Sequence, residues 1–179
     1  TFGAAPHPMP GTAGPEDEAP DLWRETWVRY AGYANEVGEA FRYILPRFVA
    51  PSYGLAVSYV IGDAVDKSNR RQQTGAPAYA VAYTAADVLM WQGLASVAIP
   101  GFVINQVVYF SKRAFESSTS KATLARPVIK WGPTVAGLSA IPFIIQPIDH
   151  AVDALLDATA RRIARRQGWL AASHNEDED

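Results

Sequence analysis

Three stretches of this chain carry almost no charge, and they limit what it can fold into. Between Arg47 and Asp63 there is none, from Gln72 to Ser111 the one charge is Asp87, and from Trp131 to Ile148 there is again none. A bilayer core takes about 20 consecutive apolar residues as a helix. Extended back to Ile44, the first stretch gives a span at about 44–62, and the third gives one at about 131–148. The middle stretch would run roughly 60 Å as a single helix at about 1.5 Å per residue. That exceeds any bilayer, so the stretch must break or begin outside. Pro100-Gly101 predicts a kink, which places the span at about 88–110 with Ala78–Ala86 as a lead-in turn. Two tight spans hinged at Pro100 are the other solution. The expected fold is all-α: a multi-pass membrane helical protein of about three spans, with amphipathic N-terminal and C-terminal helices.

These spans are not greasy throughout. Ser52, Tyr53, Gly54 and Ser58 dilute the first, Gly93, Ser96 and Gly101 the second, and Gly132, Pro133, Gly137, Pro142 and Pro147 the third. Small and hydroxyl residues suit contact between helices in a bilayer. Neighbouring helices also let a membrane helix tolerate proline. A soluble bundle is the competing reading, and a mean hydropathy of -0.05 gives it some weight. The charge-free runs outweigh it.

The flanks read as amphipathic. Asp21 is placed to cap a helix running to about Arg42, on which Trp23, Trp27, Tyr30, Ala34, Val37 and Phe41 recur at steps of four and three. Arg24, Glu25, Arg29, Glu36, Glu39 and Arg42 fall largely off that face. Tryptophan and tyrosine favour a membrane interface. At the other end Asp149 is expected to open a last helix. Acids lead it and Arg161, Arg162, Arg165 and Arg166 close it, which suits the helix dipole. Gly168 is the expected stop.

One helical membrane domain, 21–168, is thus flanked by a Pro/Gly-rich tail (1–20) and an acidic tail (169–179). Residues 1–20 cannot build a core, so they are expected to order only if a partner holds them. The chain starts at Thr1, which fits either a processed N-terminus or an omitted start. For three spans, nine bases fall on one side and seven on the other, too even to set orientation by the positive-inside rule.

Aspartates at the span ends are the sharpest chemical feature. Asp63 with Asp66, and Asp149 with Asp153, form similar strings that carboxylate-seeking cations could use. Neither supplies enough ligands, so the expectation is no metal site. They are expected instead to cap helices at the water line and to pair with Lys67 or Arg161. Asp87 is also expected to be an interfacial cap; a proton relay or carrier role would need a second buried partner. His150, at the expected helix start, reads as structural. No nucleophile elbow, phosphate loop, zinc-protease or dinucleotide fingerprint occurs, and no basic stripe suggests nucleic acid. No cysteine is present for disulfides or thiolate sites. The chain is therefore expected not to be an enzyme and to need no cofactor.

Several long strings resemble one family. Trp27-Val-Arg-Tyr30 with Gly32-Tyr-Ala-Asn-Glu-Val-Gly-Glu-Ala-Phe-Arg42 is similar to the N-terminal signature of the mitochondrial fission process protein 1 family. Asp63-Ala-Val-Asp-Lys67, Trp91-Gln92, Ala95-Ser-Val-Ala-Ile-Pro-Gly-Phe102, Ile104-Asn105, Lys130-Trp131 and Pro147-Ile-Asp149 resemble its later blocks, in order, over about 21–165. The resemblance implies a multi-pass inner mitochondrial membrane protein acting in fission and bioenergetics, without catalysis. It implies lipids and inner-membrane proteins as partners, with a bound lipid such as cardiolipin as an option. An accessory subunit of a respiratory-chain or ATP-synthase complex is the alternative. Candidate contact or cap residues are Trp23, Trp27, Tyr30, Asn35, Glu36, Asp63, Asp66, Asp87, Asp149 and Asp153.

Overall fold

A computed structural model describes Trp23, residues 27–117 and residues 124–168. Both tails and Asp21 lie outside the described residues, as do the side chains of Trp27 and Arg29. Among the described residues every regular element is helical. A 3-10 segment, Trp27–Tyr33, leads into α1 (Ala34–Ala40), and a 3-10 turn, Pro46–Phe48, leads into α2 (Val49–Gln73). Helix α3 (Ala78–Gln92) continues through a π-helical stretch, Gly93–Ala98, into α4 (Ile99–Phe115). Helix α5 (Arg126–Ala158) is followed by the short α6 (Ala160–Arg166).

Three of these helical runs are long and apolar enough to cross a membrane: Pro46–Gln73, Ala78–Phe115 and Arg126–Arg166. Each is longer than the expected span it overlaps, and the first begins at Pro46, two residues after the expected start at Ile44. Residues 78–86 are helix, not a lead-in turn, and residues 78–115 form one continuous run instead of two hinged spans. The reason lies at Pro100. A proline in a helix removes one donor and crowds the carbonyl four residues back. Here the π-helical widening just before it relieves that crowding without ending the helix. In α5, Pro133, Pro142 and Pro147 are likewise absorbed. The chain reverses instead at Thr74–Pro77, where Gly75 takes φ +76°. The expected stop at Gly168 is there too, at φ +74°.

The N-terminal flank differs most from expectation. The described part is a 3-10 turn plus seven helical residues, and it does not lie along the outside of the bundle. It runs back beside α2, with Trp23 at Asp66, Gly32 at Tyr59 and Gly38 at Ser52. Helix α1 wedges against α2, α4 and α5. Its faces are inverted relative to a water-facing helix: Asn35, Glu36 and Glu39 are buried, while Tyr30 is 69% exposed and Val37 faces outward. Elsewhere the surface follows the same rule, with Ile61, Phe102, Phe110, Val135 and Phe143 all exposed. Buried carboxylates and amides beneath a surface rich in exposed apolar side chains suit a bundle that would sit in lipid. The count of basic residues by side assumes that the N-terminal flank stays at one end. Trp23 instead lies at the Asp66 end of α2, so that count does not describe this fold.

Close packing rests on small residues. Ala40, Ile104 and Val108 form one buried cluster at the α1–α4–α5 junction, with Gly137 at its centre. Ala95, Ile148, Val152 and Leu156 form a second, between the π-helical stretch and α5.

Candidate functional site

Polar side chains are buried between the helices beside the two apolar clusters, and they are organised in layers. The first layer surrounds Glu39 on α1. Its carboxylate accepts from Arg42 Nε at 2.6 Å and Nη2 at 2.7 Å, from Asn105 Nδ2 at 2.9 Å, and from Tyr53 Oη at 3.1 Å. Side chains from α1, the turn after it, α2 and α4 thus meet on one carboxylate. Burial alone would raise the Glu39 pKa. The hydrogen bonds from Arg42, Asn105 and Tyr53 and the Arg42 charge outweigh it and hold the carboxyl below the usual range.

The second layer lies a turn or two away. Asp63 on α2 is fully buried. It accepts from Gln92 Nε2 at 2.7 Å, and the Lys67 ammonium stands 2.9 Å from its other oxygen. Ser96 donates to Gln92 Oε1 at 2.6 Å, which fixes the amide's orientation. Asn35 Nδ2 donates to the Val97 carbonyl at 3.1 Å, inside the π-helical stretch. A π-helical turn disturbs the regular carbonyl pairing of a helix, and α1 supplies a side-chain donor there.

Glu36 departs from this pattern. It is 1% exposed, and neither carboxylate oxygen has a hydrogen-bond partner on another residue. Burial pushes its pKa up to about 7. The side chain lines a cavity of about 390 Å³ bounded by Trp91, Gln92, Ser96, Tyr59 and Asp149.

At the far end of α5, Arg161 gathers three acids. Its Nε and Nη2 meet the two oxygens of Asp87 at 2.9 and 3.1 Å, and its Nη1 meets Asp153 at 3.0 Å and Asp157 at 3.5 Å. The two-pronged geometry on Asp87 joins α3 to α6 across 74 positions of sequence.

The cap reading of the aspartates is therefore corrected. Asp63 and Asp66 lie inside α2, Asp87 inside α3, and Asp149 and Asp153 inside an unbroken α5 that begins at Arg126. None of these three helices has a side-chain N-cap bond. Each carboxylate with a named partner finds it on a side chain: Asp66 on Trp23 Nε1 at 3.1 Å and on Arg70 at 3.1 Å, the others as above. For Asp63 and Asp66 a base one turn later neutralises the acid, so α2 has no reason to stop there. The expected pairings of Asp63 with Lys67 and of Asp153 with Arg161 are present. Of the candidates, Asn35, Glu36 and Asp63 are buried in the interior, Trp23 and Asp149 line the cavity beside Glu36, and Asp66 is part-exposed beside Trp23. Tyr30 stands apart on the outer surface, beside the Tyr33 ring.

Glu39, Arg42, Tyr53, Gln92 and Asn105 are not among the candidate contact or cap residues, and Arg161, expected as a partner of the later aspartates, also takes Asp87. A signal for the two amides is nevertheless there: Gln92 and Asn105 are strong hydrogen-bonding groups inside an apolar run, where they need partners. Among the described residues, no three His, Asp or Glu side chains are placed to hold a metal ion.

Comparison with known proteins gives consistent matches. The family model described as Mitochondrial 18 KDa protein matches residues 24–86 and 65–156. The human protein named mitochondrial fission process protein 1 is 46% identical over 158 residues, 86% of this chain and 93% of its own length. The Danio rerio protein of the same name is 46% identical over 160 residues, covering 87% and 95%, and the Caenorhabditis elegans one is 44% identical over 149, covering 80% and 88%. No solved structure matches the chain.

Proposed function

Since the chain belongs to the Mitochondrial 18 KDa protein family, we propose that it is a multi-pass protein of the inner mitochondrial membrane that acts in fission and in the bioenergetic state of that membrane, through protein contacts and without catalysis. The observation that carries the fission role is the near full-length identity to proteins named for that process. Membrane residence is supported by three helices of sufficient length and by the polar-in, apolar-out surface. The partnered interior supports a structural use of its charges: Asp87, the carrier candidate, is held by both prongs of Arg161.

An anionic lipid such as cardiolipin has a suitable berth at the opposite end of the bundle. Lys112, Arg126 and Lys130 border a recess of about 310 Å³ beside Tyr43; Glu116 also lines it, 3.9 Å from Lys112, which leaves Arg126 and Lys130 for an acidic headgroup.

Gentle solubilisation of mitochondria, native electrophoresis and mass spectrometry would test the proposal, together with swelling and protease treatment to assign the compartment. We expect protection until the outer membrane is opened, a small assembly, and a longer mitochondrial network when the protein is depleted. Stable stoichiometric co-migration with one respiratory or ATP-synthase complex would replace this reading with that of an accessory subunit. Unchanged network length on depletion would remove the fission role.

A further inference from the structure

Glu36 is held in an arrangement that nothing in the bundle's packing requires. A buried polar group without a partner costs free energy, and a buried carboxylate costs more. Its neighbour one turn along, Glu39, shows that the same helix can be given three partners for a carboxylate. Glu36 has none on another residue for either oxygen. It faces a cavity of about 390 Å³, within the range of small-ligand pockets. The lining also includes Gln92, Ala95 and Ser96, and the last two lie in the π-helical stretch. Such widened turns recur at functional sites.

The lining favours a cationic ligand. Glu36, Asp149 and Asp153 border the cavity with one histidine, His150, and no lysine or arginine is among its described lining residues. Asp153 is engaged by Arg161 and Asp149 has a partner of its own, so Glu36 is the carboxylate left for a guest. Indole and phenol rings from Trp23, Tyr33, Tyr59 and Trp91 complete the wall. An anion finds no lysine or arginine to pair with among the described lining residues. A bare divalent cation wants about six oxygens at fixed short distances, and the acids here do not converge in that way. An organic ammonium needs less: one carboxylate for its charge and ring faces for its alkyl groups.

We propose that the cavity beside Glu36 is a binding site for an organic ammonium group, with Glu36 as its counter-ion and the surrounding tryptophan and tyrosine rings as its walls. The group can arrive on an amine-bearing phospholipid headgroup or as a free small amine. The site goes beyond the family's role in fission and holds whether or not that role does.

The purified full chain in a neutral maltoside detergent can be titrated with ethanolamine hydrochloride and tetramethylammonium chloride against sodium chloride at equal ionic strength. Tryptophan fluorescence is the readout, since Trp23 and Trp91 line the cavity. We expect a saturable change with the ammonium salts and not with sodium, accompanied by a rise in Tm. Glu36→Gln should weaken binding at least tenfold. This variant keeps the shape of a side chain that burial already drives towards neutrality, so it should fold. The Tm shift of the unmodified chain needs no variant and tests the site independently. In nanodiscs, competition of the probe by phosphatidylethanolamine but not by phosphatidylglycerol assigns the site to a lipid headgroup, and no competition by either assigns it to a soluble amine. An ammonium response no larger than sodium's, or equal binding by Glu36→Gln, overturns the proposal and leaves a water-filled cavity.

Discussion

Replacing Glu39 with alanine is expected to unfold the bundle or lower its stability by about 3–5 kcal/mol, the usual consequence of breaking a buried, hydrogen-bonded charge. The carboxylate is 1% exposed and accepts four hydrogen bonds. Arg42 is part-exposed and can turn outward to recover water or headgroups. Asn105 and Tyr53 are less free to do so, and each would lose its acceptor at a cost of about 1–3 kcal/mol where burial is complete. Glu39→Gln should cost less, because an amide oxygen still accepts from one donor. The measurement is thermal unfolding in detergent. A loss no larger for alanine than for glutamine would mean that this layer does not hold α1 in place.

The contrast with Glu36 sharpens the expectation. Glu39 has its pKa depressed, so its stabilising contribution is present above the unfolded carboxyl pKa and is lost as pH falls through the folded one. Glu36 has its pKa raised from 4.5 to about 7. Its protonation therefore favours folding below about pH 4.5, and that contribution is lost as pH rises through about 7. At about pH 8, above that raised value, Glu36→Gln should raise Tm while Glu39→Ala lowers it, although the two positions lie one helical turn apart.

Gly137→Leu is the second substitution with a large expected effect. A Cβ at this position would lie 2.6 Å from Val108 Cγ2, 3.1 Å from Ala40 Cβ and 3.3 Å from Ala40 Cα. Val108 can shift its methyl group, but the α1 backbone cannot retreat without leaving the cluster it forms with Ile104 and Val108. Overpacking typically costs about 1–3 kcal/mol, and a backbone neighbour puts this case at the upper end. Gly54→Leu is the matched control. Nothing lies within 4 Å of its added Cβ, on an exposed face of α2. There the better helix propensity should raise stability by about 0.5–1 kcal/mol. Unfolding in detergent should separate the two by sign. Equal effects would remove the close α1–α4–α5 approach from the account.

These glycines also show what can be read from the sequence. Gly137 is legible as a small residue inside an apolar span, hence as a helix contact, but its partners are not: Ala40 and Val108 lie far away in sequence. The three long helices are legible because a charge-free run of sufficient length admits few other structures. Their ends are not. Asp63, Asp66, Asp149 and Asp153 look like boundaries when each is read alone. Lys67, Arg70 and Arg161 neutralise most of them in place, and the helices pass through. Helix α1 misleads for a related reason. Its periodicity correctly identifies two faces, but the rule that the apolar face points inward assumes water outside. With lipid outside, Tyr30 and Val37 face out, and Asn35, Glu36 and Glu39 become the interior. Arg161 as the partner of Asp87 depends on a pairing across 74 residues, which no local pattern reveals.

The absence of cysteine allows the membrane path itself to be measured directly. Single cysteines at Thr74, Ala125 and Gln167 would sit in exposed positions between α2 and α3, before α5, and after α6. Labelled in sealed mitoplasts with a membrane-impermeant maleimide, Thr74→Cys and Gln167→Cys should react alike and Ala125→Cys oppositely, with the pattern inverting in inside-out vesicles. That result follows if α2, the α3–α4 run and α5 each cross once. Labelling of all three positions from the same face would contradict it, and with it the membrane-embedded bundle on which the rest of the account stands.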